Sequence, residues 1–277
     1  MLSEITGARE RIALARITTG LAALNTLWHL PPGDVLAEPW NPSPPQTPAA
    51  SGKLTAEQYE ALRRLAFVSV AAWTLGCENK AVKFAANVSF AAVQRHVAQF
   101  DQRAWNYNSN LNVYLLLLSL TDSRGSLAAE DTDETSPEVA AAVLAAMRMY
   151  YACLYFQSGL SKLLRSGPAW ADGRTLRGSW AELGTRAGKW LSLRPMNVAA
   201  AASVLTLCFE LLYPTAQLAL RKRPHTVGLA SLAFHASVKA TMDISFWHHA
   251  VHALPLYVLR PEAERHTARF LRRLRRR

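Results

Sequence analysis

The chain has 277 residues, 50% of them hydrophobic and only 18% charged, with 31 Lys and Arg against 20 Asp and Glu for a net charge of +11. Soluble domains carry about 25% charged residues, so this balance excludes the disordered and low-complexity classes. A mean hydropathy of +0.01 falls between a soluble enzyme and a membrane bundle, and the placement of the charges has to decide between them.

A helix crossing the hydrocarbon core needs about 20 largely apolar residues. Residues 17–33, ITTGLAALNTLWHLPPG, form the first such run, with no charge, and Pro31 and Pro32 stop it. Residues 34–60 read as a Pro-rich loop resting near the membrane interface, with Trp40 in it. The second run, Leu65–Cys77, is extended at its start by the helix-like TAEQYEALRRL. Lys80 and Lys83 then flank a third, Phe84–Phe100, interrupted by Arg95 and His96. The fourth, AWNYNSNLNVYLLLLSLT, is polar in its first half and aliphatic in its second. An acidic loop with Glu130, Asp131, Asp133 and Glu134 follows it.

The fifth run begins near Pro137 and continues to Leu164, broken only by Arg148 and Lys162. The sixth, PMNVAAAASVLTLCFELLYPTAQLAL, holds Glu210 as its sole charge, and RKRPH ends it. From Thr226 to Leu259 the chain is again apolar around Lys239 and Asp243, long enough for two crossings and a tight turn. The expected architecture is therefore an all-α, polytopic transmembrane bundle of about eight helices, a single domain over residues 1–277 without an extramembrane domain. A soluble all-α protein is the competing reading. The sixth run has almost no polar face to offer water, which a soluble surface helix needs, and Trp and Tyr gather near segment ends as in interfacial belts.

With eight crossings, Arg9 and Arg11, Lys80 and Lys83, Arg221–Arg223 and the basic tail of residues 260–277 all fall on one side, the cytoplasm by the positive-inside rule. Both termini are then cytoplasmic. The basic loop of residues 162–194, with seven basic and two acidic residues, falls outside against that rule, so either the count is off by one or the loop folds against the bundle as part of a site. No cleavable signal is apparent, so the first helix is expected to stay in place. The tail alone also fits a nucleic-acid arm or a solvated helix face, but it lacks interleaved aromatics and no nucleic-acid motif accompanies it. No nucleic-acid partner is expected.

Cys77, Cys153 and Cys208 sit apart in apolar stretches and read as small buried hydrophobes without metal-ligand spacing. His248 and His252 have the i, i+4 spacing that can place two imidazoles on one ion, but with no assured third ligand a metal is not expected. Arg16, Arg148, Lys162, Glu210, Lys239 and Asp243 lie at membrane depth, where a charge costs roughly 2.5–3.5 kcal/mol on insertion scales. Arg16, Arg148 and Lys239 read as structural charges that snorkel or pair. Lys162 differs, because it follows the small residues of QSGLS and precedes GPAWADG. A lysine drawn out of water there favours the uncharged amine, the form a base needs.

The run MRMYYACLYFQSGLSKLLRSGPAWADGRTL resembles the central signature of the vitamin K-dependent gamma-carboxylase family and its short bacterial relatives, the HTTM-domain membrane proteins. In that pattern a Tyr-Phe pair precedes a small-residue step, a Lys, and a Trp closely followed by Gly. Tyr155, Phe156, Gly159, Lys162, Trp170 and Gly173 match it. ALARITTGL, with Arg16, resembles the family's first helix, NSNLNVYLLLLSL the fourth segment, FELLYPTAQL the one bearing the Glu, here Glu210, and SLAFHASVKATMDISFW the Phe-His segment, here Phe234 and His235.

The resemblance implies that Lys162 is the catalytic base that deprotonates a reduced quinone, of the vitamin K or menaquinol type, at the outer face of a bacterial plasma (inner) membrane. Tyr155, Phe156, Gly159, Trp170, Gly173, Glu210 and His235 then line the quinone and substrate pocket. In the carboxylases oxygen converts the quinol to a strong base, a glutamyl γ-proton is removed, CO₂ adds and quinone epoxide leaves. The chain departs from them in carrying no His in NYNSNLN and in leaving no room for a β-rich substrate domain. Some of the short bacterial kind resemble factors that mature or export secreted peptide toxins. Three functions follow: a quinol-using lyase or oxidoreductase acting on a secreted peptide, a non-catalytic membrane partner for maturation, export or immunity of such a peptide, and a transporter. The third calls for repeat symmetry between halves, which the sequence lacks. Membrane lipid, a peptide substrate and a partner subunit are the partners these readings imply.

Overall fold

The computed structural model describes residues 7–37, 54–99, 109–123 and 136–259, and all regular structure among them is helical. Most of the interfacial loop with Trp40, the acidic loop, the start of the fourth segment and the basic tail lie outside the described residues. Contacts group the chain into two compact units, Met1–Val143 with Pro261–Arg277, and Leu144–Arg260.

The first unit holds α1 (Ala8–His29), the short α2 (Gly33–Ala37), α3 (Ala56–Thr74), α4 (Lys80–Val97) and α5 (Ser109–Ser119). Two sequence signals set the starts of α3 and α4. TAEQ forms a capping box, in which the Thr55 hydroxyl accepts from the Gln58 N–H at 3.2 Å and the Gln58 side chain accepts from the Thr55 N–H at 3.0 Å. The Asn79 side chain accepts from the Ala81 N–H at 2.8 Å. α1 meets α3 at Gly20, where a Cβ would overlap the Thr74 hydroxyl. The first turns of α3 secure the end of α1: Arg63 donates to the Leu27 carbonyl at 3.1 Å and the Tyr59 hydroxyl to the Pro31 carbonyl at 3.2 Å. Residues 54–60, assigned to the interfacial loop by sequence, thus begin α3.

Buried within this unit is a charge cluster around Glu78, in the turn between α3 and α4. It takes Arg16 at 3.5 Å, the Ser123 hydroxyl at 2.6 Å, and Lys83 in direct contact. Lys83 also donates to the Thr121 carbonyl at 2.7 Å. Arg16 is thus a paired buried charge, and Lys83, expected as a flanking loop cation, is buried beside it.

In the second unit, α6 (Pro137–Ser166), which starts in the first, runs into a 3-10 turn (Gly167–Asp172). There follow α7 (Arg174–Leu183), α8 (Arg186–Ser192), α9 (Met196–Ala219), α10 (Pro224–Met242), α11 (Trp247–Ala250) and a π-turn (Leu254–Val258). Two helical stretches among the described residues are long and apolar enough to cross a membrane, Pro137–Asp172 and Met196–Ala219. At roughly 1.5 Å per residue α9 is about 36 Å long, enough for a hydrocarbon core of about 30 Å.

Two stretches differ from expectation. Residues 162–194 are not an open loop: the end of α6, the 3-10 turn, α7 and α8 occupy most of them. Gly167, Gly173 and Gly184 divide the stretch into pieces too short to register as a single periodic run. α8 is fixed by Thr185, whose N–H and hydroxyl donate to the Thr241 and Ala240 carbonyls at 3.0 and 2.6 Å, and so cap the end of α10. After α10 the expected eighth crossing does not form as a continuous helix. Asp243 turns the chain with φ +56°, α11 is four residues long, and Pro255 has no N–H to continue the ladder.

Candidate functional site

One face of α6 carries Arg148, Tyr151, Tyr155, Ser158 and Lys162, at helical intervals of three and four. Each bonds a group of the second unit or a neighbour in the stripe. The opposite face carries Met149, Cys153, Phe156, Leu160 and Leu164 at the same intervals, all exposed. α9 repeats the pattern, with Ser203, Glu210 and Tyr213 buried while Leu205, Leu212 and Leu218 are exposed. These helices are amphipathic in the reverse of the sense that water selects.

Lys162 closes the stripe. Its Nζ lies 2.7 Å from each carboxylate oxygen of Glu210 and 2.8 Å from the Ser158 hydroxyl, which itself donates to Glu210 at 3.0 Å. The Trp170 ring stands 5.4 Å from the ammonium, a cation–π contact. Glu210 is buried, with 5% of its side chain exposed, whereas Lys162 keeps 24% and so remains open to a ligand. The lysine is not the isolated amine expected from sequence, because a carboxylate meets its charge directly.

The glycines of the motif allow this approach. A Cβ on Gly159 would press at 3.0 Å on Glu210 and Leu211, so its absence brings α6 against α9 at the level of the acid. Gly173 has φ +85°, and a Cβ there would stand 2.3 Å from the Ala200 N atom. Only glycine fits that contact between the 3-10 turn and the start of α9. Pro214, one turn beyond Glu210, has no N–H for the Glu210 carbonyl four residues before it.

Two and three turns before Lys162 lies a buried hydroxyl and imidazole cluster. The Tyr155 hydroxyl is 2.7 Å from His235 Nε2 and 2.7 Å from the Ser231 hydroxyl, and Tyr151 reaches the same Ser231 at 2.5 Å. Tyr155 stacks on Tyr213 at 4.3 Å, Phe209 stacks on Phe234 at 4.6 Å, and His249 stacks on Tyr151 at 4.1 Å. His235 Nδ1 and His249 Nδ1 are buried with no hydrogen-bond partner among the described residues. Beside this cluster an apolar groove of about 910 Å³ runs between α9 and α10, with Phe209, Tyr213 and Phe234 in its wall.

Six of the eight residues assigned to catalysis and the pocket, Lys162, Glu210, Trp170, Gly159, Tyr155 and His235, bond, contact or hold apart these groups. Gly173 acts at one remove by seating the 3-10 turn that carries Trp170. Phe156 does not belong: it is 43% exposed on the apolar face, since adjacent helical residues point about 100° apart. Arg148 donates to the Leu256 carbonyl at 2.7 Å, under the Tyr257 ring, and ties α6 to the π-turn. Lys239 pairs with Asp243 at 2.5 Å in an exposed i, i+4 bridge.

His249 stands out in sequence only as one of a group of histidines with His235, His248 and His252, and sequence reasoning missed Tyr151, Ser158, Ser231 and Tyr213. Their signal was available as spacing, because 151, 155, 158 and 162 share a helix face, as do 228, 231 and 235. The cysteines were misjudged: all three are exposed. His252 directs its Nδ1 to the His248 carbonyl at 2.8 Å rather than to that residue's ring. Among the described residues no three His, Cys, Asp or Glu side chains gather to hold a metal ion.

No protein-family model, curated protein or solved structure matches the chain.

Proposed function

We propose that the chain is an integral membrane protein that carries out quinol-linked proton chemistry at Lys162, acting on a peptide at the outer face of a bacterial plasma membrane. The observation that carries the reading is the two-faced α6, with its polar stripe from Arg148 to Lys162 turned to the partners of the second unit and its apolar stripe turned outward. Lipid favours that arrangement, in which ionisable groups face a bundle interior and pair there. Further crossings beside α6 and α9, in a polytopic bundle, belong to the same proposal.

Within the site, Lys162 can pass one ammonium proton to Glu210, and the freed amine can then take a hydroxyl proton from a bound reduced quinone. The N–H bond lost to the carboxylate is replaced by the one formed with that proton. Ser158 holds both partners in register. A reduced quinone, when bound, would supply the hydroxyl proton and the electrons that molecular oxygen consumes on its way to epoxide and water. The unpaired His235 Nδ1, beside the Tyr155 hydroxyl, is a group that a ring oxygen could satisfy.

A second reading, a non-catalytic membrane partner of a secreted peptide, is favoured by one detail: Glu210 and Ser158 take all three ammonium protons of Lys162, as in a purely structural pair. The deciding experiment supplies membranes with reduced menaquinone or vitamin K, oxygen, bicarbonate and a candidate peptide, and measures quinone epoxide by mass spectrometry. Lys162→Ala is expected to lower epoxide formation by about 100-fold or more, the scale of a lost general base. Lys162→Arg keeps the pairing charge but cannot act as the base, so full epoxide formation in that variant would remove Lys162 as the base, whereas no epoxide from the unaltered chain would leave the partner reading.

A further inference from the structure

The groove between α9 and α10 is built for a hydrocarbon chain with one anionic end. Its wall is mostly aliphatic and aromatic, and three of its hydroxyls are committed to backbone carbonyls. Thr206 donates to the Ala202 carbonyl at 2.9 Å, Ser237 to Phe234 at 2.7 Å and Thr241 to Ser237 at 2.8 Å. A polar ligand would therefore meet few free hydroxyl protons along it. On α9 the lining runs from Val198 to Leu220, about 33 Å at roughly 1.5 Å per residue, which is close to the hydrocarbon thickness of a bilayer, about 30 Å.

The two ends differ. At the Val198 end the short helices close the groove, with Leu176 and Trp180 of α7 and Leu191 of α8 in its wall. At the other end, Leu220 and Thr226 line the groove on either side of the turn that joins α9 to α10. That turn is Arg221–Lys222–Arg223, all three exposed and none in an ion pair with a described residue. Three cations at the mouth of a dry channel are complementary to a phosphate at the end of an acyl chain.

We infer that this groove binds an anionic phospholipid, with an acyl chain along α9 and α10 and its phosphate against Arg221, Lys222 and Arg223. The inference rests on the reading that α9 crosses a membrane. A second copy of the chain is the other apolar occupant to weigh. About a two-fold axis along the membrane normal it would bring its own cationic turn to the same depth, so that six positive charges would face one another at the interface.

Native mass spectrometry of the full chain in detergent tests this, with phosphatidylglycerol and phosphatidylcholine of identical acyl chains added in turn. Phosphatidylglycerol is expected to stay bound, one per chain, about tenfold more than phosphatidylcholine. Arg221→Gln/Lys222→Gln/Arg223→Gln is expected to erase that preference, and Ala230→Trp, which fills the groove wall, to reduce retention of both lipids. Equal retention of the two lipids by the unaltered chain, a preference that survives the triple substitution, or a dimer mass in place of the lipid adduct would each overturn the inference. Release of the chain from membranes by alkaline carbonate would overturn the membrane reading and this one together. Lipid selectivity can fail while the chain stays embedded, so the two failures are distinguishable.

Discussion

Lys162 and Glu210 are worth most to the fold as a pair. Taking two charges out of water is costly, and the cost is met only when both are present in good geometry. Lys162→Met leaves Glu210 with 5% of its side chain exposed and no cation, and is expected to destabilise the second unit by about 3 kcal/mol, at the lower end for a broken buried pair because Lys162 keeps some access to solvent. Lys162→Met/Glu210→Leu is expected to recover most of that loss. Denaturant unfolding in mild detergent reads both, and a double variant no more stable than the single one would remove the pair from the account. At this scale the sequence was informative wherever a charge or a glycine interrupted an apolar run. Lys162, Glu210, Gly159 and Gly173 stand out in that way. It placed Ser158 and Ser231 on the faces of Lys162 and His235 by spacing but not in a bond, because a serine looks alike whether it bonds a carboxylate across helices or its own backbone. It misled at Phe156, where adjacency to Tyr155 in the chain puts the ring on the opposite face.

The helices themselves carry the argument about solvent. Only 28% of the most apolar window of α9 is buried, and Leu205, near its middle, is 70% exposed. Contiguous apolar surface on this scale marks a membrane or partner contact. Leu205→Arg separates the alternatives. In a helix crossing lipid it adds roughly 2.5–3.5 kcal/mol to the insertion free energy, whereas on a water-facing surface it changes stability by about 0.5 kcal/mol or less. Translation with membrane vesicles, scored by protease protection of the flanking segments, is expected to show reduced insertion of the variant, and unchanged behaviour would argue for water outside α9. The lengths of α6 and α9 were legible because Pro137, Pro195 and the basic turn after Leu220 bound long apolar runs. α7 and α8 were not, since a ten-residue and a seven-residue helix between glycines show too few turns for a period to emerge. The break in the helix after α10 has a local cause, in Asp243 and Pro255, that hydropathy does not register.

Across the whole molecule the three cysteines offer a direct probe. Cys153 and Cys208 lie exposed on the apolar faces of α6 and α9, where lipid would shield them from a charged maleimide. Labelling in intact membranes is expected to be slow at both and to become rapid once detergent or denaturant is added, with peptide mapping assigning the sites. Rapid labelling of both before solubilisation would place their surroundings in water. Charge counting misreads basic turns where a cation is buried, since lysines and arginines near a helix end and those within a buried cluster, such as Lys83, look the same in sequence.

The reversed faces of α6 and α9 also bear on how such a chain comes to exist in a cell. In the cytosol its finished helices would expose Leu205, Phe156 and Leu164 to one another across separate molecules, and association would compete with folding from the first completed hairpin. If the chain is a membrane protein as proposed, delivery has to keep pace with the ribosome, each apolar segment passing into the bilayer as it is made, so that the ionic pairs of the interior form after translocation rather than before it.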